Sequence, residues 1–191
     1  MRLPSPDKRA RILDAGAELF ASQPFHKVLL DHVAQAAGVG KGTVYLYFSS
    51  KDELYLAVLF RGFAGLVGEM REELAHGDSP PPARVEGIVR SIVRHLHGNP
   101  VLRELMRGAV VGFPDNGEWA ATRREFYGLI AEVIRRGVAS GAFTDSHPEL
   151  TATYVPGLIR SAVMFLPPDV DQETLAGHAA AFVLRALQPA G

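Results

Sequence analysis

The chain has no cysteine among its 191 residues. That absence excludes disulfides and every thiolate metal site, and it fits a reducing compartment. Long apolar runs are missing too, since the uncharged stretch from Thr174 to Leu184 falls short of the about 18 to 20 residues that a bilayer demands. The opening MRLPSPDKRA lacks the apolar core of a secretory signal, so a cytoplasmic protein with no membrane contact is expected. No segment alternates apolar and polar residues in the manner of a strand, and there is no internal repeat or low-complexity tract. Catalytic constellations are also lacking. Ser91 and His95 stand four apart and Asp145 lies near His147, but neither pair has a glycine-flanked nucleophile or an oxyanion loop beside it. His95 and His97, two apart on a helix, point in different directions, and no carboxylate cluster completes a site. No enzyme, cofactor or metal is therefore expected.

What is present is helical throughout. Hydrophobic residues make up 47% and charged residues 21%, ordinary values for a globular protein. Periodicity and punctuation predict an all-α fold of about nine helices. The first runs from Asp7 to Ser22, with Ile12, Leu13, Leu19 and Phe20 facing the core. Two short helices follow, and then a long one from Lys51 to about Leu74. The stretch HGDSPPPA, His76 to Ala83, reads as loop because three successive prolines cannot continue a helix. Further helices are expected over Arg84 to His97, Val101 to Val111, Glu118 to Ala139, Glu149 to Leu166 and Asp171 to Leu187. Ser146 and Glu149 have capping-box spacing, and Pro156-Gly157 should kink or divide the helix that holds it.

Function is concentrated in AGVGKGTVYLYFSSKDEL, from Ala37 to Leu54. Just upstream, Leu29, Leu30, Val33, Ala34 and Ala37 are spaced as on one helical face. Gly38 then ends that helix, because a left-handed position past a helix end is nearly free for glycine and costly for a residue with a Cβ. Advancing Lys41 to Tyr47 by about 100° per residue puts Val44 and Phe48 on the face that must be buried. Gly42 and Leu46 lie opposite, flanked by Thr43 and Tyr45. This is the layout of a helix-turn-helix unit, whose second helix enters the major groove. Gly42 lets the backbone approach closely, Thr43 can bond a base edge or a phosphate, and the Tyr45 and Tyr47 hydroxyls can reach phosphates from the flanks. Ser50 and Glu53 have capping-box spacing, so Lys51 falls in the first turn of the next helix, where free N–H groups and an ammonium favour phosphate.

From the helix RARILDAGAELFASQPF through VAQAAGVGKGTVYLYFSSKDEL, the chain resembles the TetR family of transcriptional regulators. The resemblance implies a framework helix, a helix-turn-helix and a fourth helix leading to a ligand-binding body. It puts DNA contacts on Gly40, Lys41, Gly42, Thr43, Tyr45, Leu46, Tyr47 and Lys51. Four positions depart from the family pattern. Val28 and Leu29 replace threonines at the start of the second helix, removing a side-chain N-cap and a phosphate contact, while Gly40 stands where serine is common. Leu46 holds a position often given to a polar residue.

Charge is divided in keeping with that reading. Residues 1–51 hold seven Lys or Arg against four acids, a balance of +3, while the remainder holds thirteen against seventeen, a balance of −4. The expected domains are a DNA-binding head over 1–51 and an effector-binding and dimerisation body over 52–191. The resemblance places a four-helix dimer interface on the last two helices, where small residues interleave with Leu175, Ala179, Phe182 and Val183. Phe63, Met106, Trp119, Phe126, Tyr127 and Tyr154 are candidates to line an effector pocket. The resulting expectation is a homodimeric repressor that binds double-stranded DNA at a pseudo-palindromic operator and is released by a small, mainly apolar effector. An activator of the same family is one alternative. Another is an all-α ligand-binding or sequestering protein that has lost specific DNA reading, which the apolar Val28, Leu29 and Leu46 would favour.

Overall fold

Proline at the first helical position and a glycine close approach start the architecture. Helix α1 (Pro6–Ser22) opens on Pro6, whose fixed φ suits a first turn and whose missing N–H would have had no partner there. The computed structural model describes residues 5–75, 79–99, 117–165 and 170–188. Among them are eight α-helices, one short 3₁₀ turn and no strand. The expected helix over Val101 to Val111 lies outside the described residues. The chain divides into two compact units, the first running to Phe63 and the second starting at Ala64.

The first unit holds α1, the 3₁₀ turn Phe25–Lys27, α2 (Leu30–Ala36), α3 (Lys41–Tyr47) and the beginning of α4 (Lys51–Ala75). Ile12, Val28, Val33, Val44, Phe48, Leu54 and Tyr55 are fully buried at its centre. A Cβ at Gly16 would stand 3.4 Å from the Leu54 side chain, so glycine brings α1 close to α4. Phe20 and Phe25 both meet the Tyr55 ring edge-on, at 4.8 and 5.0 Å between centroids.

In the second unit, α5 (Pro81–Gly98) packs on α8 (Gln172–Leu187), α6 (Gly117–Ala139) and α7 (Pro148–Phe165), and α6 packs on α7. Val89, Ile92, Val93, Ile134, Ile159 and Leu187 form the buried seam. Helix α5 starts at Pro81, three residues before the expected Arg84, because prolines fit a first turn as well as a loop. Helix α7 continues through Pro156 instead of dividing there. Burial of Ala152, Val155 and Ile159 offsets the one backbone bond that proline removes. Its start is set by Asp145, whose carboxylate accepts the His147 N–H at 2.8 Å, rather than by the expected Ser146. Between α6 and α7, Gly141 takes φ +74°, and the Phe143 ring lies where a Cβ on Gly137 would be. Asp171 caps α8, accepting from Thr174 N at 2.8 Å.

Candidate nucleic-acid interface

The turn between α2 and α3 is built by backbone bonds and locked by one arginine. Gly38 adopts φ +62°. Its N–H donates to Gln35 O at 3.1 Å and the Val39 N–H to Ala34 O at 2.9 Å, the paired bonds of a Schellman motif. From α1, the Arg11 guanidinium donates to the Ala37 carbonyl and, at 3.0 Å, to the Gly38 carbonyl. The orphan acceptors at the end of α2 are thereby satisfied by a cation, which also suits the helix dipole. Arg11 went unrecognised in the sequence, because no local spacing links residues 26 apart.

Helix α3 occupies the expected span, Lys41–Tyr47, with Gly40 as an N-cap that offers no side-chain bond. Val44 and Phe48 are buried, and Leu46 is 70% exposed. Around Gly42, among the described residues, no atom beyond its chain neighbours and its own helix backbone lies within 4 Å of where a Cβ would sit. Tyr45 is exposed and Thr43 half-buried. Gly40, Lys41, Gly42, Thr43, Tyr45 and Leu46 thus lie together on the outer side of one short helix.

Three of the expected contacts are engaged within the chain. The Lys41 ammonium pairs with Asp31 at 2.8 Å, and that hydrogen-bonded carboxylate holds the lysine above its usual pKa. Tyr47 accepts from the Ser5 N–H at 2.5 Å and donates to the Ser5 carbonyl at 3.1 Å, tying the start of α1 to the end of α3. Lys51 donates to the carbonyls of Phe25 at 2.8 Å and Val28 at 3.1 Å, and its ammonium lies 4.3 Å from the centre of the Phe25 ring. In this structure Lys51 therefore fastens the segment that enters α2, instead of standing free for a phosphate. Ser50 accepts the Glu53 N–H at 3.1 Å, but Glu53 returns its carboxylate to Ser49, so only half of the expected reciprocal pair forms.

At the start of α2 the sequence reading needs correction. Leu29 is not on the buried face: it is the extended N-cap, at φ −111° and ψ 141°, and is 53% exposed. Val28 is the residue that enters the core. No side chain caps the helix, as the missing threonines implied.

The body sorts its candidates differently from the expectation. Trp119 and Phe126 are buried, Tyr127 is half-buried with its ring edge-on to Phe126 at 5.3 Å, and Phe63 is half-buried. Tyr154 is 64% exposed and lines no interior, and Met106 lies outside the described residues. Of the expected dimer residues, Leu175, Ala179 and Val183 are buried within their own chain, where α8 packs on α5; only Phe182 is exposed, at 49%. Small residues on α8 let it approach α5 within the chain, so they marked an internal contact. Exposed apolar surface falls instead on Leu150, Tyr154 and Leu158, one stripe of α7 at four-residue spacing, and on Phe165 and Phe182. The spacing was legible, but Pro156-Gly157 in its midst disguised it.

Two polar features of the second unit complete the inventory. A cleft of about 200 Å³ is lined by Arg71, Arg84, Glu132 and Arg136 around Leu74 and Val133. The His95 Nε2 is buried without a hydrogen-bond partner among the described residues, and burial pushes its pKa down against the opposing pull of Glu69. Among the described residues no helix is long and apolar enough to cross a membrane.

A tight glycine turn locked between two short helices, with an exposed outer face on the second, defines a helix-turn-helix DNA reader. Residues 12–58 match the family described as bacterial regulatory proteins, tetR family. Over 196 residues, covering 96% of this chain and 98% of the relative, the chain is 28% identical to the uncharacterized HTH-type transcriptional regulator YhgD of Bacillus subtilis. It is 31% identical over 139 residues to the transcriptional repressor KstR of Mycobacterium tuberculosis, covering 73% of this chain and 62% of KstR. The fold matches that of the transcriptional regulator FadR of Bacillus subtilis, solved with stearoyl-CoA. There the TM-score is 0.76 at 17% identity, over 94% of this chain and 99% of the other. The chain belongs to the TetR family, and it is a DNA-binding transcriptional regulator.

Proposed function

We propose that the protein is a cytoplasmic, homodimeric repressor with no enzymatic activity, released from a pseudo-palindromic operator by a small, mainly apolar effector. In this reading DNA binding resides in residues 1–51, while effector binding and dimerisation reside in residues 52–191. The observation that carries it is the exposed apolar surface of the body, the α7 stripe of Leu150, Tyr154 and Leu158 together with Phe165 and Phe182, which would stand in water unless a second copy covered it. Two copies supply two recognition helices, and a palindrome needs its readers about 34 to 36 Å apart. Doubling the heads also doubles the phosphate contacts, which matters when a head carries so modest a basic excess. Release by an effector is supported by FadR having been solved with stearoyl-CoA, and the repressor role by the likeness to KstR. An effector displaces the protein only through better binding to a conformation that fits DNA poorly.

Sedimentation of the wild type and of Tyr154→Glu tests the assembly, with a dimer expected for the first and a monomer for the second. Footprinting on genomic fragments then tests the function. A protected palindrome lost on adding stearoyl-CoA or a small, mainly apolar compound, with the adjacent promoter silent until then, is the expected result. A promoter that falls silent when the protein is removed would make it an activator instead. No preferred site at any salt concentration would support the sequestering alternative.

A further inference from the structure

We propose that Leu46 reads the 5-methyl group of a pyrimidine, so that each operator half-site is recognised at one position by a methyl contact rather than by a paired hydrogen bond. The inference rests on the DNA-reading role of the head and adds to it the chemistry of the base read. Side chains that discriminate bases by two hydrogen bonds are Arg or Lys on guanine and Asn or Gln on adenine. Between Lys41 and Tyr47 the only such residue is Lys41, and its ammonium is paired with Asp31 at the N-terminal end. Thr43 and Tyr45 offer single hydroxyls from the flanks. What stands at the centre of the face is Leu46, a large apolar side chain that is 70% exposed. One turn earlier on the same face is Gly42, where a Cβ would find open space. The absence of side-chain bulk there lets the helix settle deeply enough for the leucine methyls to reach the groove floor.

In B-DNA the only apolar group on the major-groove floor is the pyrimidine 5-methyl group, present in thymine and in 5-methylcytosine. Contact between it and the Leu46 methyls removes apolar surface from water on both sides. Burial of one methyl-sized group corresponds to about a fourfold change in affinity per half-site.

The test uses the full-length protein and a preferred duplex selected from random sequences. Each thymine of the half-site is replaced in turn by uracil, which keeps every hydrogen-bonding edge and loses only the methyl. At one position the wild type is expected to lose about fourfold per half-site. Leu46→Ala should bind the thymine duplex about as weakly as the wild type binds the uracil one, with no further loss on uracil. A second arm places cytosine or 5-methylcytosine at that position, and methylation should tighten binding by the wild type and not by Leu46→Ala. Because Leu46 is exposed, its replacement should leave the thermal midpoint unchanged, so loss of fold does not enter. A half-site indifferent to uracil at every thymine, or a uracil penalty that persists in Leu46→Ala, overturns the proposal while leaving sequence-specific DNA binding intact. A selection that yields no preferred sequence overturns the DNA-reading role and the proposal with it.

Discussion

The head and the body are both helical, yet they are held together by different means. In the head the helices are short, and α2 and α3, of seven residues each, would not persist alone. Their geometry depends on polar fasteners between residues far apart in sequence: Arg11 on the turn carbonyls, Lys51 on the carbonyls of Phe25 and Val28, Tyr47 on Ser5. In the body, helices of 16 to 23 residues press together along apolar seams, and the ion pairs among the described residues lie at the exposed rim. The lesson is that a reading head needs fixed backbone geometry with its outer face left free. An apolar core large enough to fix such short helices would consume that face.

The largest effect on this contrast is expected in the body. Gly137→Ala would drive a Cβ to 1.9 Å from the Phe143 ring, which is itself buried, so the ring must leave its site. A cost of about 3 kcal/mol is expected from such overpacking, read as faster amide exchange in α5 and α8. Equal loss of protection in α2 and α3 would break the distinction drawn between the regions.

Gly38→Ala should act on the head through its backbone, costing about 1 to 2 kcal/mol for the left-handed conformation. Its Cβ would also stand 2.7 Å from the Arg11 guanidinium and dislodge the lock. Operator affinity should fall with head stability, and gel-shift titration beside exchange at α2 amides checks whether they move together.

Lys51→Met sharpens the comparison further. Loss of two charge-assisted bonds should cost the head about 1 kcal/mol while leaving the salt dependence of DNA binding as it was. If the slope of log affinity against log salt instead drops by about one unit, Lys51 leaves the carbonyls to grip a phosphate when DNA is bound.

The smallest effect is the response of the body to acid. His95 is buried with a lowered pKa, so near and below pH ~6.5 the unfolded chain takes up its proton more readily than the folded one. Its stabilising contribution is therefore complete at higher pH and lost as pH falls. Thermal midpoints at about pH 7.5 and about pH 5.5 should differ less in His95→Phe than in the wild type. An unchanged difference would show that other groups dominate.

Much of the head could be read directly. The Gly38 turn, the span of α3, the burial of Val44 and Phe48 and the exposure of Leu46 follow from local rules of backbone sterics and helical period. Leu29 was misread because periodicity does not say where a helix begins, and a residue one step outside obeys extended geometry. In the body, Leu175, Ala179 and Val183 were correctly apolar, but apolarity alone cannot distinguish a partner helix of the same chain from one of a second copy.

The sequence by itself determined the all-helical class, the reading head and the residues on its outer face. Those depend on interactions within about one helical turn, which the order of residues encodes directly. Only the tertiary structure decided that Lys51 and Tyr47 fasten the head, that Arg11 locks its turn, and that Leu150, Tyr154, Leu158 and Phe182 are left exposed. Each of those outcomes turns on which distant groups meet when the chain closes. A cation satisfied by two carbonyls and a leucine covered by a neighbouring helix carry no local signature.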